Sequence, residues 1–179
     1  RQRQQLPRIQ IRHQHQHPKF LVANLGSFMN DGDYIFAQSR HERKSMGIRM
    51  AQKQRETKET QLSVAVNLDG TGKFGGSVGI PFFEHMLDLL AKHARMDLKI
   101  SGQGDLQIDA HHTVEDLGIV LGQALNQALG EKKGISRFGF AHIPMEEALA
   151  RCVLDVCGRP YLFYRAEIAN ERIGNYETE

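Results

Sequence analysis

The sequence predicts an α+β fold, a mixed sheet with helices packed on one face, and three observations carry that prediction. Leu62, Val64, Val66 and Leu68 alternate with Ser63, Ala65 and Asn67, the period of a half-buried strand. Phe83, Met86, Leu87, Leu90 and Ala94 then recur at helical spacing. Val114, Leu117, Leu121, Leu125 and Ala128 do so again. Amphipathic helices beside a one-sided sheet bury their stripes by stacking on its apolar face.

The elements follow in order from a poorly patterned start. Between Arg1 and Asn30 there is no acidic residue, only Arg1, Arg3, Arg8, Arg12 and Lys19 in a Gln/His-rich run. Residues 1–54 show no sustained period, so they are expected to form a low-complexity basic leader, poorly ordered, ahead of a folded domain over 55–179. The alternation His13, Gln14, His15, Gln16, His17 sets three imidazoles on one side of an extended chain. That arrangement could hold a transition metal loosely, and a solvated tail is the plainer reading. After the first strand, Asp69-Gly70-Thr71-Gly72 turns the chain; Gly70-x-Gly72-Lys73 lacks the spacing of a nucleotide phosphate loop.

The first helix leaves His85, Asp88, Lys92 and Arg95 on its polar side. Met96, Leu98 and Ile100 alternate up to Gly102-Gln103-Gly104, and Leu106 and Ile108 resume, which predicts a hairpin ending at Asp109. The second helix begins at His111-His112, with Thr113 and Asp116 as a capping box and Gly130 as its stop. Cys152 to Val156 and Tyr161 to Ala166 are predicted strands on either side of Gly158-Arg159-Pro160.

Composition narrows the class of function. Lys and Arg number 23 against 21 Asp and Glu, a net charge of +2, which gives no general attraction to nucleic acid. No apolar run approaches the roughly 18 residues of a membrane span. Two cysteines, Cys152 and Cys157, are too few for a disulfide scaffold and point to a reducing, cytoplasmic setting. Their odd separation puts them on opposite faces of a strand, so they are not expected to pair or to share a metal.

The chemistry concentrates in His111-His112-Thr113-Val114-Glu115-Asp116, where a strand hands over to a helix. His112 and Glu115, three apart, share a helix face, while His111 in the turn can aim elsewhere. An imidazole and a carboxylate on one face suit a borderline divalent cation, and the adjacent histidine could serve a second one. Glu115 follows both histidines, so this is not the arrangement of zinc peptidases. His85, on the other helix, is a candidate third ligand, with His93 two turns further on. The bland alternative is a set of surface histidines. Arg137, after Lys132-Lys133-Gly134, and Arg159 carry forks suited to phosphate, although each alone reads as an ordinary surface arginine.

These residues resemble the imidazoleglycerol-phosphate dehydratase family, lyases of histidine biosynthesis. The resemblance runs over 55–179. It is carried by Glu56-Thr57-Lys58-Glu59-Thr60, Asn67-Leu68-Asp69-Gly70-Thr71-Gly72, Phe82-Phe83-Glu84-His85-Met86-Leu87 and Asp109-Ala110-His111-His112-Thr113-Val114-Glu115-Asp116. Pro144-Met145-Glu146-Glu147-Ala148 and Gly158-Arg159-Pro160-Tyr161-Leu162 extend it. It implies Mn²⁺ ligands at His85, His111, His112 and Glu115, substrate contacts at Glu59, Asp88, His93, Arg137 and Arg159, and an acid/base role for Glu59. It further implies a fold of two similar halves, of the ribosomal S5 domain 2-like architecture. Two metal ions per site would be completed by second-half residues of a neighbouring subunit in a homo-oligomer. The chain ends before a second His-His-x-x-Glu, so it is expected to be C-terminally truncated and inactive by itself. The alternative function is a non-catalytic metal-binding or interaction module that keeps only the first repeat.

Overall fold

The computed structural model describes residues 49–174 and 176–178. Residues 1–48 of the expected leader, with the His13, His15 and His17 run, lie outside the described residues. Two compact units result, one of 49–137 with 155–178 and one of 138–154.

The larger unit is a four-stranded mixed sheet with strand order β1-β2-β4-β3. Its strands are β1 (Met50–Glu56), β2 (Thr60–Asn67), β3 (Phe74–Gly75) and β4 (Asp97–Gly104). β2 pairs antiparallel with both β1 and β4, and β3 joins β4 in parallel. Two helices, α1 (Pro81–Ala94) and α2 (His111–Leu129), bury their stripes against one sheet face. Leu62, Val64 and Val66 from β2 meet Leu98 and Ile100 from β4, Leu87 and Ala91 from α1, and Leu117, Val120 and Ala124 from α2. The predicted α+β class and the β2 alternation are both present.

Four expectations are corrected. The sheet begins at Met50, inside the segment placed with the leader; β1 is an edge strand of Gln, Lys and Arg, so its period left no apolar trace. The β4 hairpin does not form, because residues 106–108 are a turn and β4 pairs with β2 instead. Gly102 is there for close packing rather than for turning: its φ is 144°, and a Cβ on it would come within 2.0 Å of the Gln61 carbonyl oxygen. Tyr161 to Ala166 forms no strand among the described residues. The helix stripes are also rotated from those expected. Met86 and Leu90 face outward while Leu87 and Ala91 are buried, and α2 turns Thr113, Asp116, Leu117, Val120, Ala124 and Ala128 inward.

The ends of α1 explain its position. Pro81 opens it, and Glu84 reaches back so that its Oε1 accepts from the backbone N–H groups of Val78, Gly79 and Ile80 and from the Ser77 hydroxyl. Partial burial pushes the Glu84 carboxyl up, yet the Ser77 and backbone hydrogen bonds outweigh it and hold the group below the usual carboxylate value. Asp97 does similar work in the Asp69-Gly70-Thr71-Gly72 turn, accepting from the N–H groups of Thr71 at 2.8 Å and Lys73 at 3.0 Å. Gly130 ends α2 as expected.

The smaller unit is a two-stranded ribbon, β5 (Phe138–Met145) and β6 (Ala148–Asp155), joined through Glu146 and Glu147. Its β6 starts before the predicted strand at Cys152, and β5 left no clear signal because both its faces are apolar in part. A short pair, β7 (Arg172–Ile173) and β8 (Tyr176–Glu177), closes the chain, and Tyr176 lies against Phe82 and Phe83 of α1 at ring-centroid distances of 5.3 and 6.1 Å. Cys152 is exposed, Cys157 half-buried, and both are free thiols. Among the described residues no helix is long and apolar enough to cross a membrane.

Candidate functional site

The site grows from the first turn of α2. His111 is already helical, not in the turn before it, and Asp109 Oδ1 accepts its backbone N–H at 2.8 Å. One turn on, Glu115 Oε2 lies 3.4 Å from His111 Nε2, and both side chains are exposed. The imidazole and carboxylate that meet are therefore His111 and Glu115, at i and i+4, rather than His112 and Glu115.

His112 turns to a different partner. Its Nδ1 stands 2.9 Å from Oδ2 of Asp105, in the connection between β4 and α2. An ionised carboxylate only accepts, so the hydrogen sits on Nδ1 and Nε2 faces away from Asp105. The Asp105 hydrogen bond raises the His112 pKa above its ordinary value, with further contributions from the charges of Glu59 and Asp109. Glu59, in the exposed bend between β1 and β2, thus acts electrostatically on His112, whose ring is 5.6 Å from that of His111.

The expected capping box is absent. Thr113 lies inside the helix, buried, and its Oγ1 has no hydrogen-bond partner among the described residues. Asp116 instead accepts from Thr60 Oγ1 and from Arg55 Nε, each at 2.6 Å. Burial pushes its carboxyl up, but the hydrogen bonds from Thr60 and Arg55 together hold it below its usual value. This tie fastens the first turn of α2 to β1 and β2. Neighbouring acids on one motif therefore do unlike work: Glu115 faces solvent and His111, while Asp116 anchors.

On the opposite helix His85, Asp88 and His93 are all exposed. Arg137 does not extend freely, because its Nε and Nη2 bind Asp155 Oδ1 at 2.6 Å and Oδ2 at 3.0 Å. That hydrogen bond, then the charges of Arg137 and Arg159, hold Asp155 below its ordinary value. The two arginines thus share one carboxylate as neighbour. The sequence reading missed Asp105, the anchoring role of Asp116, and Asp155.

The family profile described as imidazoleglycerol-phosphate dehydratase matches residues 78–179. The imidazoleglycerol-phosphate dehydratase of Azorhizobium caulinodans is 54% identical over 132 residues, which are 74% of this chain and 67% of that protein. The chain belongs to the imidazoleglycerol-phosphate dehydratase family. The member from Acetivibrio thermocellus is 57% identical over 125 residues, covering 70% of this chain and 64% of its own length. The crystal structure of the Staphylococcus aureus imidazoleglycerol-phosphate dehydratase superposes with a TM-score of 0.63 at 40% identity, over 72% of this chain and 70% of that one. That of Pyrococcus furiosus gives 0.58 at 34% identity, over 68% and 64%. The chain spans about two thirds of the length of these family members.

The donor chemistry on α2 suits a divalent cation, since imidazole and carboxylate together bind several such ions. Placement is the constraint. Among the described residues no group of three or more His, Cys, Asp or Glu side chains is placed around a metal position. Among the described residues the donors of this segment meet in pairs, His111 with Glu115 and His112 with Asp105.

Proposed function

We propose that this chain acts in the dehydration of imidazole glycerol phosphate to imidazole acetol phosphate, a carbon–oxygen lyase step of L-histidine biosynthesis. The observation that carries this reading is identity above one half with a named dehydratase across the stretch that holds the His111-His112-x-x-Glu115 motif. In this reading His85, His111, His112 and Glu115 hold Mn²⁺, two ions per site. Donors from a neighbouring subunit of a homo-oligomer complete the shell, and the pairwise placement on this chain is consistent with that need. Bound Mn²⁺ supplies Lewis acidity to the imidazole ring of the substrate.

The remaining steps belong to side chains of this chain. Glu59 takes the carbon-bound proton, and Arg137 and Arg159 grip the phosphate so that the reacting carbon is held in line. Asp88 and His93 make further contacts to the substrate. The free thiols of Cys152 and Cys157 support a cytoplasmic location. Neither a nucleic acid nor a membrane enters the reading.

The test is turnover of imidazole glycerol phosphate with Mn²⁺ by the purified chain, alone and mixed with the C-terminal third of the Azorhizobium relative, beside Glu115→Gln. Activity that needs the added third and disappears in Glu115→Gln supports the reading. A chain that binds Mn²⁺ but stays inactive in every mixture supports the second reading, a non-catalytic metal-binding module.

A further inference from the structure

The connection between β4 and α2 converges on Asp105. Its carboxylate meets His112, with Oδ2 and Nδ1 2.9 Å apart. Its backbone is pinned on both sides. The Asp105 carbonyl accepts from Ile108 N–H at 2.8 Å, and a Cβ on the preceding Gly104 would come within 2.0 Å of Thr113 Oγ1. The second carboxylate oxygen, Oδ1, is buried without a hydrogen-bond partner among the described residues.

A buried carboxylate oxygen without a donor works against folding, so stability alone does not account for an acid here. What the acid supplies is an acceptor that keeps the hydrogen on Nδ1. An imidazole in that tautomer carries its lone pair on Nε2, and a carboxylate behind it makes that nitrogen a better ligand. His111 is held differently, because its Nε2 faces Glu115 of the same helix.

We propose that Asp105 is a positioning residue that fixes His112 in the Nδ1–H tautomer and aims Nε2 at a divalent cation; this rests on the reading of His112 as a metal ligand. The experiment follows the His112 ring by long-range ¹H–¹⁵N correlation in the metal-free chain at a pH of about 8, where an ordinary imidazole is neutral. The same chain is then titrated with Mn²⁺ by competition with a fluorescent chelator. Asp105→Asn, Asp105→Leu and His112→Ala are compared with the parent, and far-UV circular dichroism checks each fold.

The parent is expected to show Nδ1–H. Asp105→Leu shifts the ring toward Nε2–H, the form free imidazole side chains favour, and weakens Mn²⁺ binding about 10- to 100-fold. Asp105→Asn retains an acceptor oxygen, so it preserves the tautomer and most of the affinity; if Asp105→Leu does not fold, the tautomer of the parent carries the test. An Nε2–H ring in the parent overturns the proposal. So does an affinity that falls in His112→Ala while a folded Asp105→Leu matches the parent. An affinity unchanged in His112→Ala removes the metal reading and the proposal together, and an Nδ1–H spectrum in the parent distinguishes that failure from the first.

Discussion

Residues 60–130 and residues 138–168 are both rich in large apolar side chains, yet they use them in opposite ways. Val64, Leu98 and Leu117 are almost fully buried, whereas Phe140 is 78% and Tyr161 89% exposed. In the first stretch each strand has a helix stripe to meet within the same unit. In the second, the side chains of the two-stranded ribbon stay exposed on both faces among the described residues, and such a ribbon alone is marginally stable in water. Alternation or apolar content therefore tells which side chains want burial, and a second packing layer decides whether they obtain it.

The largest expected effect breaks the buried region. Val64→Asp places an unpaired charge among Leu62, Ile100 and Val120, and the chain should fail to fold, read as loss of cooperative thermal unfolding. Leu98→Ala should cost about 2–5 kcal/mol in denaturant unfolding, through lost burial and the cavity left behind. Asp116→Ala strips acceptors from Thr60 and Arg55 and should cost about 1–3 kcal/mol by the same measurement. Phe140→Ala, at the other extreme, should change stability by less than about 0.5 kcal/mol. A loss there equal to that of Leu98→Ala would end the contrast between the two regions.

Acid provides a finer probe of the larger unit. The Asp116 and Glu84 carboxyls sit below their ordinary values, so each contributes stability that is present above about pH 4 and is lost as pH falls through its lowered pKa. His112 runs the other way. Its raised pKa gives a contribution present below about pH 6.5 and lost as pH rises through that raised value. Denaturation midpoints measured from acid to neutral pH should fall on the acid side, and Asp116→Asn should flatten that fall.

The sequence shows where packing is periodic and self-contained. β2 was visible because its inward residues are all apolar, and both helices because their spacing is regular. β1 was hidden, since an edge strand made of Gln52, Lys53, Gln54 and Arg55 carries no apolar period. The false hairpin arose because Gly102 and Gly104 look like turn residues, while the structure uses their missing side chains to let β2 and Thr113 come close. At the site, the histidine pair and Glu115 stood out as a motif. Their supporting acids did not, because Asp105 precedes His112 across a turn and Asp155, at the end of β6, reaches Arg137 just ahead of β5. Long-range pairs of single polar residues leave no pattern in one sequence.

Glu84 has a further consequence, for anion selectivity. The start of a helix normally attracts phosphate because its backbone donors are open and its dipole points positive. In α1 a fixed carboxylate already fills that place, accepting from Val78, Gly79 and Ile80. The side chain of the helix itself thus sets a fixed carboxylate at this end, so a phosphate-bearing ligand approaching the start of α1 meets a negative charge.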